Sequence, residues 1–415
     1  MTHILIYGRW KVGQSLAHFC TSIEQTYTLC DESDAPENFD AYTTIVPSPG
    51  IPSSHRVYQS EKTVCELDFL ARYIPKWFQI HAVTWTDGKS TTSFVLYHFL
   101  KAGFPETPIY LGGNFGNPLA DILHDIREKW EKEWHIVLEV SSFMAYYIRT
   151  FYADYSILTN LHPDHLDWHH DISEYYHAKQ NLLGHTKKTI FYPASVTTLL
   201  PELPHFPIES IVMPRELTFE HDLLALTPDT YIDLSDRQLF GQHNVENIFF
   251  AASLALRLGI PAKVLSATLP LIPSLSHRLQ RISIKDWKTW IDDSKSTTAQ
   301  SLYAALHAFA PQKVFLIAGG KDKGDPFDGL SEALKNGCTQ CVFIGETKPI
   351  FLQAAHDAFV PATSVSTMQE AVDSMSANTQ EGDIILLSPG CASFDMFRDY
   401  EDRAKQFAQA IDASE

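Results

Sequence analysis

The sequence has little cysteine, no excess of positive charge and no long apolar run. Of six cysteines in 415 residues, only Cys338 and Cys341 form a C-x-x-C pair. No second pair at matching spacing accompanies them, which argues against a zinc or redox site. The longest apolar stretch, residues 248–256, is far shorter than the roughly 20 residues that cross a bilayer. Residues 1–8 lack a basic leader before a long apolar segment, so we expect a first strand there and a cytoplasmic protein without a membrane partner.

The charge balance excludes two further classes of protein. Asp and Glu number 50 against 32 Lys and Arg, which gives a net charge of −18. A sequence-independent nucleic-acid binder, or a protein that binds anionic membranes, needs a positive field instead. If the substrate is anionic, positive charge must be concentrated at the site. A hydrophobic content of 45% is typical of a globular chain and excludes wholesale disorder.

Short apolar runs alternate with helical patterns along the chain, which predicts an α/β fold with parallel sheets. Residues 3–7 form the first such run, followed by a glycine turn at Gly8 and Gly13 and a helix from about Ser15. Residues 270–278 carry two prolines and several serines, as a linker does. We therefore expect three α/β domains, at residues 1–76, 77–272 and 273–415.

The strongest local signal is AVTWTDGKSTTS at residues 82–93, an apolar strand, a turn and then a helical pattern. Such a turn points backbone N–H groups and a helix N-terminus at phosphate. Lys89 would neutralise the β and γ phosphates, and the Ser90 hydroxyl would ligate Mg²⁺. The strict motif requires glycine at position 83, where Val83 stands, so an accidental Gly-Lys-Ser turn remains the alternative.

Two further segments carry candidate metal ligands. Glu139 ends an apolar strand and is a candidate Mg²⁺ ligand, or else a water-facing glutamate on an edge strand. In NLHPDHLDWHHD (160–171), His165 and His169 have a spacing that permits a shared zinc ion. The alternative is a solvated loop, which we favour for His162, His169 and His170.

Two helical segments carry side chains with two interpretations each. Lys179 in SEYYHAKQNLL (173–183) is by itself a solvent-facing ammonium, and a metal role requires it to lose its charge. Asn244 and Asn247, in the helical pattern 241–260, have amides suited to an adenine edge. Asn244 is equally suited to capping the helix.

Taken in order, the motifs resemble those of the Mur ligase family, and within it the members that add D-glutamate. The resemblance covers nearly the whole chain and rests on SPGI (48–51), T-x-T-D-G-K-S-T (84–91), GGNFG (112–116), LEVSSF (138–143), NLHPDHLDWH (160–169), AK (178–179), G-x-HN-x-x-N (241–247), HR (277–278), W-x-DDSK-x-T (290–297), AGGKDKG (318–324) and LLSPGCASFDMF (386–397). The fold it implies has an N-terminal Rossmann-like UDP-binding domain, a central P-loop-type ATPase domain and a C-terminal Rossmann-like domain that binds the amino acid.

The resemblance also implies an activity: ATP-dependent addition of D-glutamate to UDP-N-acetylmuramoyl-L-alanine by a monomeric enzyme with two Mg²⁺ ions. Lys89, Glu139, His165 and a carbamylated Lys179 would be catalytic. Ser90, Glu139, His165 and Lys179 would hold the metal ions. The implied ATP-binding residues are Thr84, Thr86, Asp87, Gly88, Lys89, Ser90, Thr91, Asn244, Asn247, Arg278 and Asp293. The implied UDP-substrate residues are Gly8, Arg9, Trp10, Gly13, Gln14, Ser48, Gly50, Asn114 and Ser141, and the D-glutamate residues are Lys295, Thr297, Lys323, Ser393, Phe394 and Tyr400.

Three positions depart from the family pattern. Trp85 replaces a glycine of the phosphate loop, and Asp87 replaces an asparagine, which brings a carboxylate towards the nucleotide phosphates. After the second strand the chain has Asp31-Glu32-Ser33 and no arginine for the uracil. We therefore expect UDP recognition to depend on Gly8, Arg9, Trp10, Gly13 and Gln14, with Ser48 and Gly50 near the pyrophosphate. The alternative is that Arg9 is an exposed loop charge and Trp10 a packed ring.

Two alternatives to this function remain open. One is another amino-acid ligase of the same fold, such as a meso-diaminopimelate-adding, L-alanine-adding or folylpolyglutamate enzyme. The other is a non-catalytic nucleotide-binding protein with a decayed phosphate loop. The presence of Glu139, His165 and Lys179 together argues against decay.

Overall fold

The computed structural model describes residues 3–84, 86, 88–127, 134–162, 164–165, 168–200, 209–220, 222–322, 324 and 327–414. The chain divides into two compact units. Unit 1 comprises residues 1–235 and 246–269, and unit 2 comprises residues 236–245 and 270–415.

The first sheet of unit 1 has three parallel strands in the order β2-β1-β3. Its strands and helices are β1 (Ile4–Tyr7), α1 (Lys11–Ser22), β2 (Tyr27–Cys30), β3 (Thr44–Pro47), a 3₁₀ turn (Arg56–Gln59) and α2 (Glu66–Ala71). The predicted helix start at Ser15 is wrong, because α1 already begins at Lys11. Gly13 lies inside this helix rather than in a turn, and a Cβ there would meet the Gly8 carbonyl oxygen at 1.8 Å. Glycine is therefore needed for the close approach of α1 to the end of β1.

The second sheet of unit 1 has six parallel strands in the order β5-β6-β4-β7-β8-β9. These are β4 (Phe78–Thr84), β5 (Ile109–Gly113), β6 (Trp134–Glu139), β7 (Ala153–Leu158), β8 (Thr186–Pro193) and β9 (Glu209–Met213). The connecting helices are α3 (Lys89–Gly103), α4 (Leu119–Ile126), α5 (Ser142–Tyr146) and α6 (Ile172–Gly184), with a 3₁₀ turn at Ala194–Thr198. All residues of β6 and β7 are buried, as expected for parallel strands covered on both faces.

A small antiparallel sheet follows, with strands β10 (Phe219–Glu220), β11 (Leu223–Thr227) and β12 (Thr230–Asp233). Then come α7 (Gln242–Arg257), α8 (Ala262–Thr268) and a 3₁₀ turn (Leu269–Leu271). The rest of the predicted linker, residues 272–278, has neither helix nor strand.

Unit 2 contains a six-stranded sheet in the order β13-β14-β18-β15-β16-β17. Only β13 runs antiparallel to its neighbour. The elements are β13 (Gln280–Lys285), β14 (Lys288–Asp292), α9 (Ala299–Ala308), β15 (Val314–Gly319), α10 (Leu330–Gly337), β16 (Cys338–Ile344), α11 (Lys348–Asp357), β17 (Ala362–Ser364), α12 (Met368–Asn378), β18 (Ile384–Leu387) and α13 (Tyr400–Ala413).

The predicted α/β class with mainly parallel sheets is confirmed. Each predicted domain contains one of the three sheets that are parallel or mainly parallel. The first two domains share a hydrophobic core, in which Ile4 and Leu16 belong to the same cluster as Ile80 and Leu138. The domain boundaries themselves stay a prediction. Among the helices in the described ranges, none has the length and apolarity to cross a membrane.

Candidate active site

The predicted phosphate loop joins the buried end of β4 to the first turn of α3. Gly88 is the N-cap of α3, and Lys89, Ser90 and Thr91 are its first three residues. The Lys89 ammonium donates a 3.0 Å hydrogen bond to the Thr86 carbonyl oxygen. The helix N-terminus thus follows a strand end directly, which is an arrangement suited to phosphate. Trp85 and Asp87 lie outside the described residues.

Glu139 lies next to this loop, because β6 pairs with β4 and Glu139 is opposite Val83. β6 is an inner strand and Glu139 is 1% exposed, so the alternative of a water-facing edge glutamate is wrong. Its Oε1 accepts a 2.8 Å hydrogen bond from the Asn114 amide. Its Oε2 is buried without a hydrogen-bond partner among the described residues. A buried carboxylate oxygen left open beside a phosphate loop is suited to a hard cation.

Tyr175 connects the phosphate loop to two other predicted residues. Its hydroxyl shares a 2.8 Å hydrogen bond with the Thr86 hydroxyl, which also accepts the backbone N–H of His162 at 3.1 Å. The buried Lys179 ammonium lies 4.8 Å from the centre of the Tyr175 ring. The centre of the His165 ring lies 6.2 Å from the centre of the same Tyr175 ring. Tyr175 thus contacts the loop and both candidate ligands of a second metal. The alternative of a solvent-facing Lys179 is wrong, because the residue is 1% exposed.

His169 departs from the solvated loop that we favoured. His162 and His170 are exposed as expected, whereas His169 is buried. Its Nε2 lies 2.9 Å from the Ser142 hydroxyl, and its Nδ1 lies 3.7 Å from Glu174. Burial lowers the pKa of His169 to about 4, against the opposing effect of Glu174. The ring is therefore neutral at neutral pH.

No zinc centre accompanies these histidines in the described ranges, where no three His, Cys, Asp or Glu side chains converge on a metal position. The ligands predicted for Mg²⁺ also include the Ser90 hydroxyl and a modified Lys179. Ser141 caps α5 by accepting the Met144 N–H at 3.2 Å. Thr84 is buried, and its hydroxyl has no hydrogen-bond partner among the described residues.

The predicted UDP-binding residues of the first sheet lie on two neighbouring turns. Ser48, after β3, donates a 3.2 Å hydrogen bond to the Gly8 carbonyl oxygen after β1. The Gln14 side chain donates to the Arg9 carbonyl oxygen at 3.0 Å. Trp10 is 58% exposed, so the packed-ring alternative is wrong. A Cβ placed on Gly50 would be 3.7 Å from the Trp10 ring, so the indole lies beside the Gly50 turn.

Arg9 places a guanidinium beside Asp31, although the segment after β2 contains no arginine. Its guanidinium donates to Asp31 at 3.1 Å and to the Leu29 carbonyl oxygen at 3.3 Å, and it also pairs with Asp34. A cation therefore lies beside Asp31 after all, although it comes from the turn after β1 rather than from the segment after β2.

In unit 2 and α7, the other predicted ATP-binding residues have contrasting environments. Asn244 lies in the first turn of α7 and donates to the Phe240 carbonyl oxygen at 2.6 Å. Gln242 precedes it in the helix, so Asn244 is not the cap. Asn247 is buried and Arg278 is exposed. Burial raises the pKa of Asp293 to about 7, even though its carboxylate accepts hydrogen bonds from Ser388 and the Leu279 N–H.

Four of the predicted D-glutamate residues lie on two segments of unit 2 that contact each other. The Gly390 N–H donates to the Ser296 carbonyl oxygen at 2.9 Å, which joins the segment of Lys295 and Thr297 to that of Ser393 and Phe394. The Lys295 ammonium lies 5.6 Å from the centre of the Tyr400 ring. Ser393 is buried, whereas Phe394 is 65% exposed. Lys323 lies outside the described residues.

Sequence patterns missed two groups that support these segments. His277 Nδ1 lies 2.6 Å from the Asp292 carboxylate. Arg403 on α13 is completely buried and donates to the Ser294 carbonyl oxygen at 2.7 Å and to the Cys391 carbonyl oxygen at 3.1 Å. The HR motif at residues 277–278 was a signal for His277, whereas nothing local distinguishes Arg403 from a surface arginine.

Two family models match this chain. Residues 83–199 match the Mur ligase middle domain, and residues 277–391 match the Mur ligase glutamate ligase domain. The first match includes the phosphate loop, Glu139 and Lys179. The second includes His277, Asp293 and Lys295.

Similar proteins extend this match to the whole chain. The UDP-N-acetylmuramoylalanine–D-glutamate ligase of Aquifex aeolicus is 31% identical, over 98% of each chain. The ligase of the same name from Natranaerobius thermophilus is 30% identical, over 94% of this chain and 88% of its own. Among solved structures, the UDP-N-acetylmuramate–alanine ligase of Thermotoga maritima covers 100% of both chains with a TM-score of 0.62 and 16% identity. That structural likeness shows a shared fold.

Proposed function

Because this chain belongs to the Mur ligase family, and within it to the UDP-N-acetylmuramoylalanine–D-glutamate ligases, we propose that it adds D-glutamate to UDP-N-acetylmuramoyl-L-alanine using ATP. The similarity over nearly the whole length of the chain carries this proposal. The reaction belongs to the synthesis of peptidoglycan precursors, and we place it in the cytoplasm and in a monomer. The proposal requires neither nucleic acid nor a membrane.

The three predicted domains divide the substrates among them. Residues 1–76 would bind the UDP end of the acceptor, with Arg9 and Trp10 at the uridine and Gly8, Ser48 and Gly50 near the pyrophosphate. Residues 77–272 would bind the ATP phosphates. Residues 273–415 would bind D-glutamate, and Arg278 and Asp293 among them are the residues predicted to bind ATP. The anionic groups of both nucleotides then meet backbone N–H groups and local cations, although the chain carries a net charge of −18.

Two Mg²⁺ positions are consistent with the residues beside the phosphate loop. Ser90 and the open carboxylate oxygen of Glu139 would hold the first ion. His165 and a carbamylated Lys179 would hold the second. Carbamylation by CO₂ turns a buried ammonium into a carboxylate-like anion, and Lys179 is buried near Tyr175 as such a group requires. Bound Mg²⁺ would offset the negative charge that collects on the transferring phosphoryl group.

The reaction begins with activation of a poor electrophile. The carboxylate of the L-alanyl residue attacks the γ-phosphate of ATP, the bond from the γ-phosphorus to the β,γ-bridging oxygen breaks, and ADP leaves as the acyl phosphate forms. Lys89 lies at the start of α3, where its ammonium would offset the negative charge on the ATP phosphates. Asn114, whose amide donates to Glu139, and Ser141, two residues after Glu139, would orient the muramoyl end. Positioning of the two reactants supplies much of the rate enhancement.

The second half of the reaction forms the amide. The amine of D-glutamate attacks the activated carbonyl, and phosphate leaves from a tetrahedral intermediate. The two carboxylates of D-glutamate need cationic and hydroxyl partners, which Lys295, Lys323, Thr297 and Ser393 would supply. Phe394 and Tyr400 would form the walls of this pocket.

The proposal is tested by phosphate release with UDP-N-acetylmuramoyl-L-alanine, ATP, Mg²⁺ and one amino acid at a time. We expect release with D-glutamate. Parallel assays supply L-alanine, meso-diaminopimelate or L-glutamate, each with its matching acceptor. Preferential release in one of these would identify a different ligase of the same fold. Nucleotide binding without any acceptor-dependent release would identify a non-catalytic protein.

A further inference from the structure

The proposed reaction leaves one proton transfer without a protein group. D-glutamate enters as an ammonium ion, which has no lone pair for attack on the acyl phosphate. A base must therefore remove a proton at the amino-acid site. The identity of this base is inferred on the premise of the proposed function. It depends on residues of unit 2 alone.

His277 is fixed in place by contacts on its ring and on its backbone. Its Nδ1 lies 2.6 Å from the Asp292 carboxylate, whose side chain is 3% exposed. Its backbone N–H donates to the Gln280 side chain at 3.0 Å, and its carbonyl oxygen accepts the Lys295 N–H at 3.1 Å. Because a carboxylate only accepts, the proton belongs on Nδ1, and the lone pair is then on Nε2. This is the arrangement of a base oriented by an acid.

The neighbours of His277 are residues that are predicted to bind the substrates. Its ring centre lies 6.0 Å from that of Tyr400, in an edge-to-face contact, and Lys295 lies over the same Tyr400 ring. Arg278, predicted to meet phosphate, follows it directly in sequence. His277 thus contacts a residue assigned to D-glutamate and is followed in sequence by a residue assigned to ATP.

We propose that Nε2 of His277 takes the proton from the α-ammonium of D-glutamate. The freed amine nitrogen forms a bond to the acyl carbon, and the bond from that carbon to the phosphate oxygen breaks. The electron pair of the broken bond leaves with phosphate. The second amine proton leaves with the phosphate as the tetrahedral intermediate collapses, and His277 returns its proton to solvent.

The charges around His277 support a base that works near neutral pH. The hydrogen bond with Asp292 raises the pKa of His277, with a smaller contribution from Glu401. Partial burial and the Lys295 ammonium act in the opposite direction. Tyr400 faces the ring as a neutral phenol, since burial raises the pKa of its hydroxyl.

The test compares two nucleophiles in His277→Asn. The asparagine amide keeps a donor where Nδ1 stood, towards Asp292, and removes Nε2. Hydroxylamine is unprotonated at neutral pH and traps acyl phosphates as hydroxamates, so it needs no base. We expect D-glutamate ligation to fall by about 10²–10⁴-fold, with hydroxamate formation from acceptor and ATP unchanged. His356→Asn is the matched control, because His356 also lies beside an aspartate, Asp357, but is 83% exposed on α11.

The outcomes separate this inference from the proposed function. Wild-type protein that forms no hydroxamate contradicts the proposed function. Wild-type hydroxamate formation combined with undiminished D-glutamate ligation by His277→Asn overturns only the base. Equal loss with both nucleophiles also overturns it, since that result means a structural role.

The pH profile gives a second, independent measurement. The base must be unprotonated, so kcat/KM for D-glutamate falls at acid pH with the pKa of His277. Asp292→Asn removes the group that raises this pKa, and we expect the acid limb to move to lower pH. An acid limb that stays in place in Asp292→Asn contradicts the assignment.

Discussion

Replacing Arg403 by methionine tests whether one buried side chain holds the amino-acid pocket together. Its guanidinium donates to the Ser294 hydroxyl at 2.9 Å, to the Ser294 carbonyl oxygen at 2.7 Å and to the Cys391 carbonyl oxygen at 3.1 Å. Ser294 precedes Lys295, and Cys391 lies two residues before Ser393. The Arg403→Met side chain fills similar space but donates to none of these acceptors.

The magnitude follows from these bonds and from the cost of burial. Hydrogen bonds from a charged donor are worth about 1.5–3 kcal/mol each. Part of this is already offset, because burial lowers the pKa of Arg403 from 12.5 to about 10, which corresponds to about 3 kcal/mol. Three such bonds less this offset leave about 1.5–6 kcal/mol, and we expect Arg403→Met to lower the free energy of unfolding by that amount.

The assay combines urea unfolding with steady-state kinetics. We expect the KM for D-glutamate to rise, because the segments of Lys295 and Ser393 lose their common anchor. The KM for the acceptor should stay unchanged, since its proposed residues belong to unit 1. Lys405→Met, at an exposed position of α13, is the control and should shift stability by less than about 0.5 kcal/mol. An Arg403→Met protein with wild-type stability and an unchanged KM for D-glutamate would refute the reasoning.

Three further predictions concern unit 1. Glu139→Gln keeps a partner for Asn114 but removes the charge from the open oxygen, so the Mg²⁺ concentration for half-maximal activity should rise by about 10-fold or more; an unchanged Mg²⁺ titration would exclude Glu139 as a ligand. Lys179→Ala should reduce phosphate release by about 10²-fold, with partial rescue by added acetate, whereas equal rates for both proteins would remove the second-metal argument. Burial lowers the pKa of His81, and that of His135 to about 4, so both rings bind protons more readily in the unfolded chain. The stability contributed by the two neutral rings should be fully present above about pH 6.5 and be lost between there and pH 4, by up to about 1.4 kcal/mol per pH unit and histidine; a difference in the free energy of unfolding between wild type and His135→Gln that stays constant from pH 7.5 to 5 would contradict this.

The sequence predicted the sheets, and the strand and helix on either side of the predicted phosphate loop, because their signals are local. An apolar run of strand length followed by Asp-Gly-Lys-Ser needs no distant partner to be recognised, and β4 and α3 meet where that pattern indicates. The start of α1 was predicted too late for a related reason. Glycine is a local signal for a turn, but Gly13 is required by contact with Gly8, a contact that sequence spacing does not reveal.

The environment of His169 and the partners of Tyr175 and Arg403 depend on such distant contacts. His169 is in a polar, histidine-rich segment, which predicts exposure, yet Phe143, Trp168 and Tyr175 pack around its ring. Tyr175 acquires its role because residue 86 is brought to its hydroxyl across 89 positions of sequence. Only the folded chain reveals which polar side chains are buried, and buried polar groups are the ones that need a ligand or a partner.

Glycines at two strand ends let the chain fold tightly over the carboxyl edges of the sheets, where buried polar groups lie. Gly113 ends β5 at φ +93°, and a Cβ there would meet the Glu139 carbonyl oxygen at 2.2 Å. Gly319 ends β15 at φ +106°, and a Cβ there would meet the Ile344 carbonyl oxygen, also at 2.2 Å. In both sheets the chain turns back over the end of the neighbouring strand, which only glycine permits at this separation. In unit 1 that turn lets the Asn114 N–H and side chain both donate hydrogen bonds to Glu139. The orientation of the open carboxylate oxygen therefore depends on the backbone of β5 as well as on β6.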